Sequence, residues 1–139
     1  ERLDAMVRDA GLGDRVTFHS YLPHKDIISY YQQADVVVNP SLSETFGISI
    51  VEGMACGVPV VGTRVGGMLD TIVDDVGRTV APEDPSSLAQ AMCEILEDPT
   101  LARNMGAAGR RRAMTQFTWN ARASRLLDVY RRVCNANRN

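Results

Sequence analysis

Cysteine is scarce in this chain of 139 residues, and the three that occur, Cys56, Cys93 and Cys134, lie far apart. No Cys-x-x-Cys pair is present, so the sequence indicates neither a disulfide framework nor a zinc site. Unpaired thiols are typical of a reducing compartment, and we therefore expect a cytoplasmic protein.

Long apolar runs and an excess of one charge are also missing. No stretch approaches the roughly 20 apolar residues of a membrane-spanning helix. The formal net charge is only −2, which gives no reason to expect nucleic acid as a partner. The length is that of one domain, residues 1–139, with enough chain for its own apolar core. Because the first residue is Glu1 rather than Met and no signal-like run follows, we expect a fragment of a longer protein.

Apolar periodicity predicts alternating helices and strands along the chain. Helices are expected over 3–11, 27–34, 46–56, 68–74, 86–97, 99–114 and 118–134. Strands are expected over 16–18, 35–38, 58–61, where Gly62 ends the strand, and 78–80. The run at 35–38 is apolar on both faces, as in buried parallel strands. This order predicts an α/β core over 1–98 on a parallel sheet, followed by C-terminal helices over 99–139.

The segment after the strand at 35–38 is the first candidate site, since ligands of open parallel sheets bind beyond the carboxyl ends of the strands. A polar loop leads into the next helix, and Thr45 is a predicted cap for that helix. Gly47 permits close approach of backbone to a ligand. The amides expected to point out of the helix N-terminus, toward an anion such as a diphosphate, are those of Phe46, Gly47, Ile48 and Ser49.

Two glutamates, Glu44 and Glu52, flank this predicted anion site. At about 100° per residue, Glu52 lies at the rim of a polar face with Ser49 and Gly53, one turn into the helix. Its carboxylate would repel phosphate but could accept hydrogen bonds from a vicinal diol such as that of ribose. The alternative is that Glu44 only favours the helix dipole and Glu52 is only solvated. The predicted apolar face consists of Ile48, Ile50, Val51, Met54 and Ala55.

A second loop, Gly62–Gly67, follows the strand at 58–61 and lies at the same sheet edge if the two strands are neighbours. Its paired glycines, Gly66 and Gly67, permit close backbone approach to a ligand, although a simple tight turn is the alternative. Arg64 faces either phosphate or solvent.

The remaining polar and sulfur-bearing groups are interpreted as structural. His19 and His24 lie outside both loops, and no neighbouring ligand indicates a metal. The arginine-rich tail is interpreted as solvated helix in preference to a peripheral membrane contact. The methionines interpreted as core residues are Met54, Met68, Met92, Met105 and Met114.

Several motifs occur together and in a familiar order. They are Pro40-Ser41, Glu44-x-Phe46-Gly47, Glu52-Gly53-Met54-Ala55-x-Gly57-x-Pro59-Val60-Val61 and Gly66-Gly67. Flanking motifs are Tyr30-Tyr31-x-x-Ala34-Asp35-Val36, Gly77-Arg78-x-Val80 and Phe117-Thr118-Trp119. Over nearly the whole chain this pattern resembles the family-4 retaining glycosyltransferases, whose signature is Glu-x7-Glu.

The resemblance implies a GT-B fold, in which this chain is a large part of the Rossmann-like C-terminal domain that binds a nucleotide sugar, UDP- or GDP-linked. It implies that Glu44, the residue assigned to catalysis, holds donor-sugar hydroxyls and that Glu52 binds the ribose. The amides of the helix start would face the sugar or diphosphate, and the paired glycines would let the second loop close on the donor. It also implies retention of configuration without a metal cofactor, and the sequence contains no Asp-x-Asp triplet.

The chain also departs from the family pattern. Gly53 stands where Ala is frequent, Ser20 where Gly is common, and Asp70 where Glu is frequent. We expect the N-terminal acceptor domain and the strands that carry the family's basic Arg/Lys pair to lie outside this chain. We therefore expect the fragment to be inactive by itself.

Two functions follow from the sequence. The first is the donor-binding half of a retaining hexosyltransferase. The alternative is a non-catalytic α/β module that binds a nucleotide or sugar nucleotide and acts with a partner.

Overall fold

Three parallel strands form the sheet in a computed structural model that describes residues 2–136. They are β1 (Val37–Asn39), β2 (Val60–Thr63) and β3 (Gly77–Val80), in the spatial order β1-β2-β3. In the register of the sheet, Val37 lies opposite Val60 and Val61 lies opposite Arg78. Sequential parallel strands require a crossover between each pair, and helices supply it. The predicted α/β fold on a parallel sheet is thereby confirmed.

Seven α-helices accompany these strands within the described residues. They are α1 (Arg2–Asp9), α2 (His24–Gln33), α3 (Ile48–Ala55), α4 (Met68–Thr71), α5 (Pro85–Glu97), α6 (Pro99–Gln116) and α7 (Trp119–Ala136). Local chemistry explains where α5 and α6 begin. Asp84 accepts a hydrogen bond from the amide of Ser87 at 2.9 Å, and Asp98 accepts one from the amide of Leu101 at 3.0 Å. Each cap is followed by a proline in the first turn, where its missing N–H costs nothing.

The core has two layers because the residues of β2 alternate between the two faces of the sheet. Val60 packs with Ile50 and Met54 of α3 on one face, and Val61 packs with Ile95 of α5 on the other. Burial on both faces is the reason that this strand begins with two consecutive valines. Helix α6 adds Met105 to the second layer and Ala108 to the first.

Two predicted strand features are wrong. The segment 16–18 is extended at Val16 but pairs with no strand among residues 2–136, and Val16 and Phe18 are exposed. An extended segment without a ladder partner is not a strand. Gly62 does not end β2 either, because it lies in the ladder between Asn39 and Thr79.

The buried face of α3 also differs from the predicted one. Ile50, Gly53 and Met54 are buried, whereas Ile48 is 65% exposed. The helix is turned so that Gly53 faces β1, where an added Cβ would lie 2.9 Å from Cγ2 of Val37. Gly53 is therefore a packing residue rather than part of a polar face.

The two outer helices bury nothing among the described residues. Neither α1 nor α7 has a buried residue, and Trp119 at the start of α7 is 91% exposed. Met114 is 57% exposed, so its assignment to the core is wrong, whereas Met54, Met68 and Met105 are buried as predicted. Within residues 2–136, no helix combines the length and the apolar character needed to cross a membrane.

Candidate functional site

Asn39, the last residue of β1, organises the loop that leads to α3. Its Oδ1 accepts hydrogen bonds from the backbone N–H of Ser41 at 3.1 Å and from the Ser41 hydroxyl at 2.6 Å. Its Nδ2 donates to the hydroxyl of Ser49 at 3.1 Å and, more weakly, to Oε2 of Glu44 at 3.5 Å. Thr63, at the end of β2, donates its hydroxyl to the carbonyl of Ser41. One amide side chain thus ties the strand, the loop and the first turn of α3 together.

The carboxylate of Glu44 lies against the backbone amides that precede α3. The N–H of Phe46 donates to Oε1 at 3.3 Å. The amides of Phe46 and Gly47 hold the pKa of Glu44 below its usual value, because they favour the ionised form. The Phe46 amide, one of those expected to await an external anion, is therefore engaged by a carboxylate of the chain itself. Ile48 and Ser49 open the helix, where amides have no intrahelical acceptor.

Thr45 is not the cap of α3, contrary to the prediction. Gly47 occupies the cap position with φ of 81°, and no side chain caps the helix there. The left-handed conformation suits glycine because it lacks Cβ. The hydroxyl of Thr71 in α4 lies 2.8 Å from the carbonyl oxygen of Gly67 and 3.1 Å from that of Phe46, so its single hydrogen is shared between the two loops.

The paired glycines bring the second loop onto the first. Gly67 donates its N–H to the carbonyl of Glu44 at 3.1 Å. A Cβ added at Gly66 would lie 1.9 Å from that carbonyl oxygen, and one at Gly67 would lie 2.3 Å from the carbonyl oxygen of Thr45. The paired glycines thus permit a close approach between two loops of the protein, and their contact with a ligand stays a prediction.

Glu52 is held by two side chains of α2. Nε2 of His24 lies 2.9 Å from Oε1, and the hydroxyl of Tyr31 donates to Oε2 at 3.1 Å. Burial and the neighbouring carboxylate raise the pKa of Tyr31 to about 12. His24, interpreted from the sequence as remote, is therefore a direct neighbour of a predicted site residue. Its separation of 28 residues from Glu52 left no local pattern by which to find it.

Two cavities adjoin Glu52. The first, of about 530 Å³, lies between the start of α3 and the start of α7, and is lined by Phe46, Ile48, Val51, Glu52, Phe117, Trp119 and Arg122. The second, of about 330 Å³, lies along α2 and is lined mostly by apolar side chains together with His24, Tyr31, Glu52 and Arg110. Glu52 thus lines both cavities.

The cation beside the first cavity is Arg122 rather than Arg64. The guanidinium of Arg122 lies 5.2 Å from the ring centre of Phe46 and 5.4 Å from that of Phe117, within cation–π range. Arg64 instead donates to the carbonyl of Thr79 at 3.3 Å, on the side of β3. In the sequence, Arg122 belongs to the arginine-rich tail that is interpreted as solvated helix.

A metal site is not evident in the part of the chain that the structure describes. Within residues 2–136, no three His, Cys, Asp or Glu side chains lie close enough together to hold an ion. Metal-independent donor binding stays a prediction.

The geometry of the site defines a class of protein. Two interlocked loops and two carboxylates lie at the carboxyl ends of adjacent parallel strands, which is the ligand edge of Rossmann-like α/β domains. Residues 1–112 match the family described as glycosyl transferases group 1, and the chain belongs to that family.

Similar proteins agree with this assignment. The chain is 40% identical over 126 residues to a D-inositol 3-phosphate glycosyltransferase of Corynebacterium diphtheriae, a match covering 90% of this chain and 29% of the relative. Sucrose-phosphate synthase from Thermosynechococcus elongatus superposes with a TM-score of 0.85 at 40% identity, covering 97% of this chain and 34% of that one. The Anabaena protein HepE in complex with UDP-glucose gives a TM-score of 0.84 at 26% identity, covering 93% and 35%.

The shares of the relatives that are covered show how much of a related protein this chain corresponds to. It spans about a third of the length of the curated relatives that it matches. The solved neighbours are GT-B glycosyltransferases, so the predicted GT-B fold is confirmed for the part of it present here.

Proposed function

We propose that this chain is the donor-binding part of a glycosyltransferase that transfers a hexosyl group from a UDP-sugar with retention of configuration. The observation that carries this proposal is the placement of two carboxylates around one helix start. Glu44 lies against the amides before α3, and Glu52 lies one turn inside the helix at a cavity that also contains Phe46 and Ile48.

The donor-sugar role of Glu44 is supported by its fixed and ionised state. The lowered pKa keeps the carboxylate charged, and a charged carboxylate is an acceptor only. Sugar hydroxyls are donors that match it. The amide of Phe46 and the side chain of Asn39 hold this acceptor in one place before the sugar arrives.

The ribose role of Glu52 is supported by its position and by its partners. Its two oxygens accept one bond each from His24 and Tyr31, which leaves further lone pairs for a vicinal diol. The diphosphate would then lie between the two carboxylates, at the amides of Ile48 and Ser49. Arg122 is the cation beside that cavity and would offset the phosphate charge.

The choice of a UDP-sugar rests on a relative. HepE of Anabaena has been solved with UDP and with UDP-glucose, and it shares this fold over 93% of the chain. Catalysis in this proposal consists of orienting the donor and stabilising the leaving diphosphate by amides and a cation. The acceptor would be held outside the present chain, so the chain alone would not turn over.

Calorimetric titration of the chain with UDP, UDP-glucose, GDP and GDP-mannose tests the proposal. We expect the uridine ligands to bind, in EDTA as well as in magnesium buffer. Glu52→Gln should weaken binding by about 1.5–3 kcal/mol, the usual contribution of a hydrogen bond to a charged group. Glu97→Gln, at an exposed position at the end of α5, is the matched control and should change nothing.

If neither this chain nor its full-length parent binds any nucleotide sugar, the proposal is wrong. Binding without transfer by the full-length parent would instead favour the non-catalytic module.

A further inference from the structure

We propose that Tyr31 is a positioning residue that orients the carboxylate of Glu52 for the nucleotide, whereas His24 is a partner of the same carboxylate that the nucleotide displaces. This inference rests on the proposed role of Glu52 and assigns tasks to two residues of α2. The two contacts to Glu52 look equivalent by distance, but their surroundings differ.

Tyr31 is the fixed member of the pair. Its ring is partly buried and packs against the core cluster on the α3 face of the sheet. From that base its hydroxyl reaches Oε2 of Glu52 at 3.1 Å. A side chain anchored in the core holds its polar tip with little freedom, so the hydrogen bond defines where Oε2 lies.

The direction of this hydrogen bond does not change with pH in the neutral range. With a pKa of about 12, Tyr31 carries its proton, and the charged carboxylate can only accept. The terminal torsion of a glutamate is broad and needs an external contact to fix it. The contact from Tyr31 restricts this torsion, and a carboxylate with one bond per oxygen still has lone pairs to accept from a ligand.

His24 is the exchangeable member. It is the first residue of α2, and its side chain is 79% exposed. Because Glu52 only accepts, Nε2 of His24 must carry the hydrogen in the contact of 2.9 Å. An exposed pair of this kind contributes little, so ribose hydroxyls can replace the imidazole at Oε1 at small cost.

The test compares UDP with 2′,3′-dideoxy-UDP, which lacks both hydroxyls that Glu52 would accept. Dissociation constants are measured by calorimetry for the full chain and for Tyr31→Phe, His24→Ala and Glu52→Gln. Tyr30→Phe is the matched control, because the ring of Tyr30 meets that of His19 edge to face, and the hydrogen bonds to Glu52 come from His24 and Tyr31. Circular dichroism verifies that each variant is folded.

We expect Tyr31→Phe to weaken UDP binding about three- to tenfold, as the loss of one hydrogen bond does, and to leave dideoxy-UDP unchanged. His24→Ala should change UDP binding less than twofold, and Tyr30→Phe should change neither ligand. In the Glu52→Gln background, Tyr31→Phe should cause no further loss, since the two act as a unit.

Three outcomes overturn the inference, and they are distinguishable. If Glu52→Gln weakens UDP but Tyr31→Phe does not, Tyr31 does not position Glu52 while the proposed function stands. If Tyr31→Phe weakens UDP and dideoxy-UDP equally, its role is only structural. If Glu52→Gln leaves UDP unchanged, the ribose role of Glu52 is wrong, and the inference falls with it.

Discussion

Gly67 donates its backbone N–H to the carbonyl of Glu44 at 3.1 Å, and this bond fastens the loop after β2 to the loop after β1. The contact requires a residue without Cβ, since an added Cβ would lie 2.3 Å from the carbonyl oxygen of Thr45. The position of Glu44 in the site therefore depends on a glycine from a different strand. The conformation of the two loops and the position of the Glu44 carboxylate are therefore coupled.

Gly67→Ala is expected to lower the free energy of unfolding by about 1–3 kcal/mol, the usual effect of overpacking. Alanine can adopt the backbone conformation of Gly67, whose φ is −66°. The loss of stability would therefore come from the steric clash alone. Urea unfolding measures it. Gly13→Ala is the control, because nothing lies within 4 Å of an added Cβ there. Equal stability of Gly67→Ala and the parent would show that the loops can separate freely.

Asn39→Asp is expected to raise the pKa of Glu44 relative to the parent chain. The change removes the donor that lies 3.5 Å from Oε2 of Glu44 and puts a like charge beside it. Carboxyl carbon shifts followed by NMR over acidic pH measure the effect. Asn120→Asp, at an exposed position in α7, should leave the titration of Glu44 unchanged. An unchanged pKa in Asn39→Asp would mean that the amides alone control Glu44.

The sequence was sufficient to predict the α/β class, the parallel sheet and both loops, because these depend on local periodicity and on turn residues. It failed where the cause is a contact between distant segments. The strand at 16–18 had the right β-branched and aromatic residues but no partner strand among residues 2–136. Residue type predicts that Gly62 ends its strand, yet Gly62 lies in register between two neighbouring strands of the sheet.

In the candidate site, too, local spacing predicts some features, and contacts between distant segments determine the others. Spacing alone placed Glu44 and Glu52 around one helix start, and the structure keeps them there. Spacing could not show that Glu44 takes up the Phe46 amide, because that bond depends on the loop conformation. Nor could it bring His24 and Arg122 to the site, since each arrives from an element remote in sequence.

The decrease in the free energy of unfolding at alkaline pH should depend on Tyr31. Its pKa is raised to about 12 from the ordinary tyrosine value near 10, so the folded state holds this proton more tightly than the unfolded state does. The corresponding stability is complete below pH 10 and is lost as pH rises toward 12. Urea unfolding at pH 9, 10 and 11 measures the decline, and Tyr31→Phe should flatten it. Parallel declines in Tyr31→Phe and Tyr30→Phe would contradict this assignment.

Gly53 packs α3 against β1, and its replacement by alanine has two opposed effects on the free energy of unfolding. Alanine is the better helix residue by roughly 0.5–1 kcal/mol. Its Cβ, however, would lie 2.9 Å from Cγ2 and 3.1 Å from Cβ of Val37, a β-branched side chain that cannot rotate clear. We expect the clash to prevail, so that Gly53→Ala lowers the free energy of unfolding by about 1–2 kcal/mol.

Val37→Ala removes the obstructing methyl groups, and this makes the cause of the Gly53 effect testable. By itself, Val37→Ala should lower the free energy of unfolding by about 1–3 kcal/mol, because it opens a cavity under α3. Combined with Gly53→Ala, the two losses should not add, since the new Cβ occupies part of the space that Val37 vacates. Urea unfolding of both single variants and the double variant completes the cycle. Strict additivity would show that Gly53 acts through helix propensity or the unfolded chain, and not through its contact with Val37.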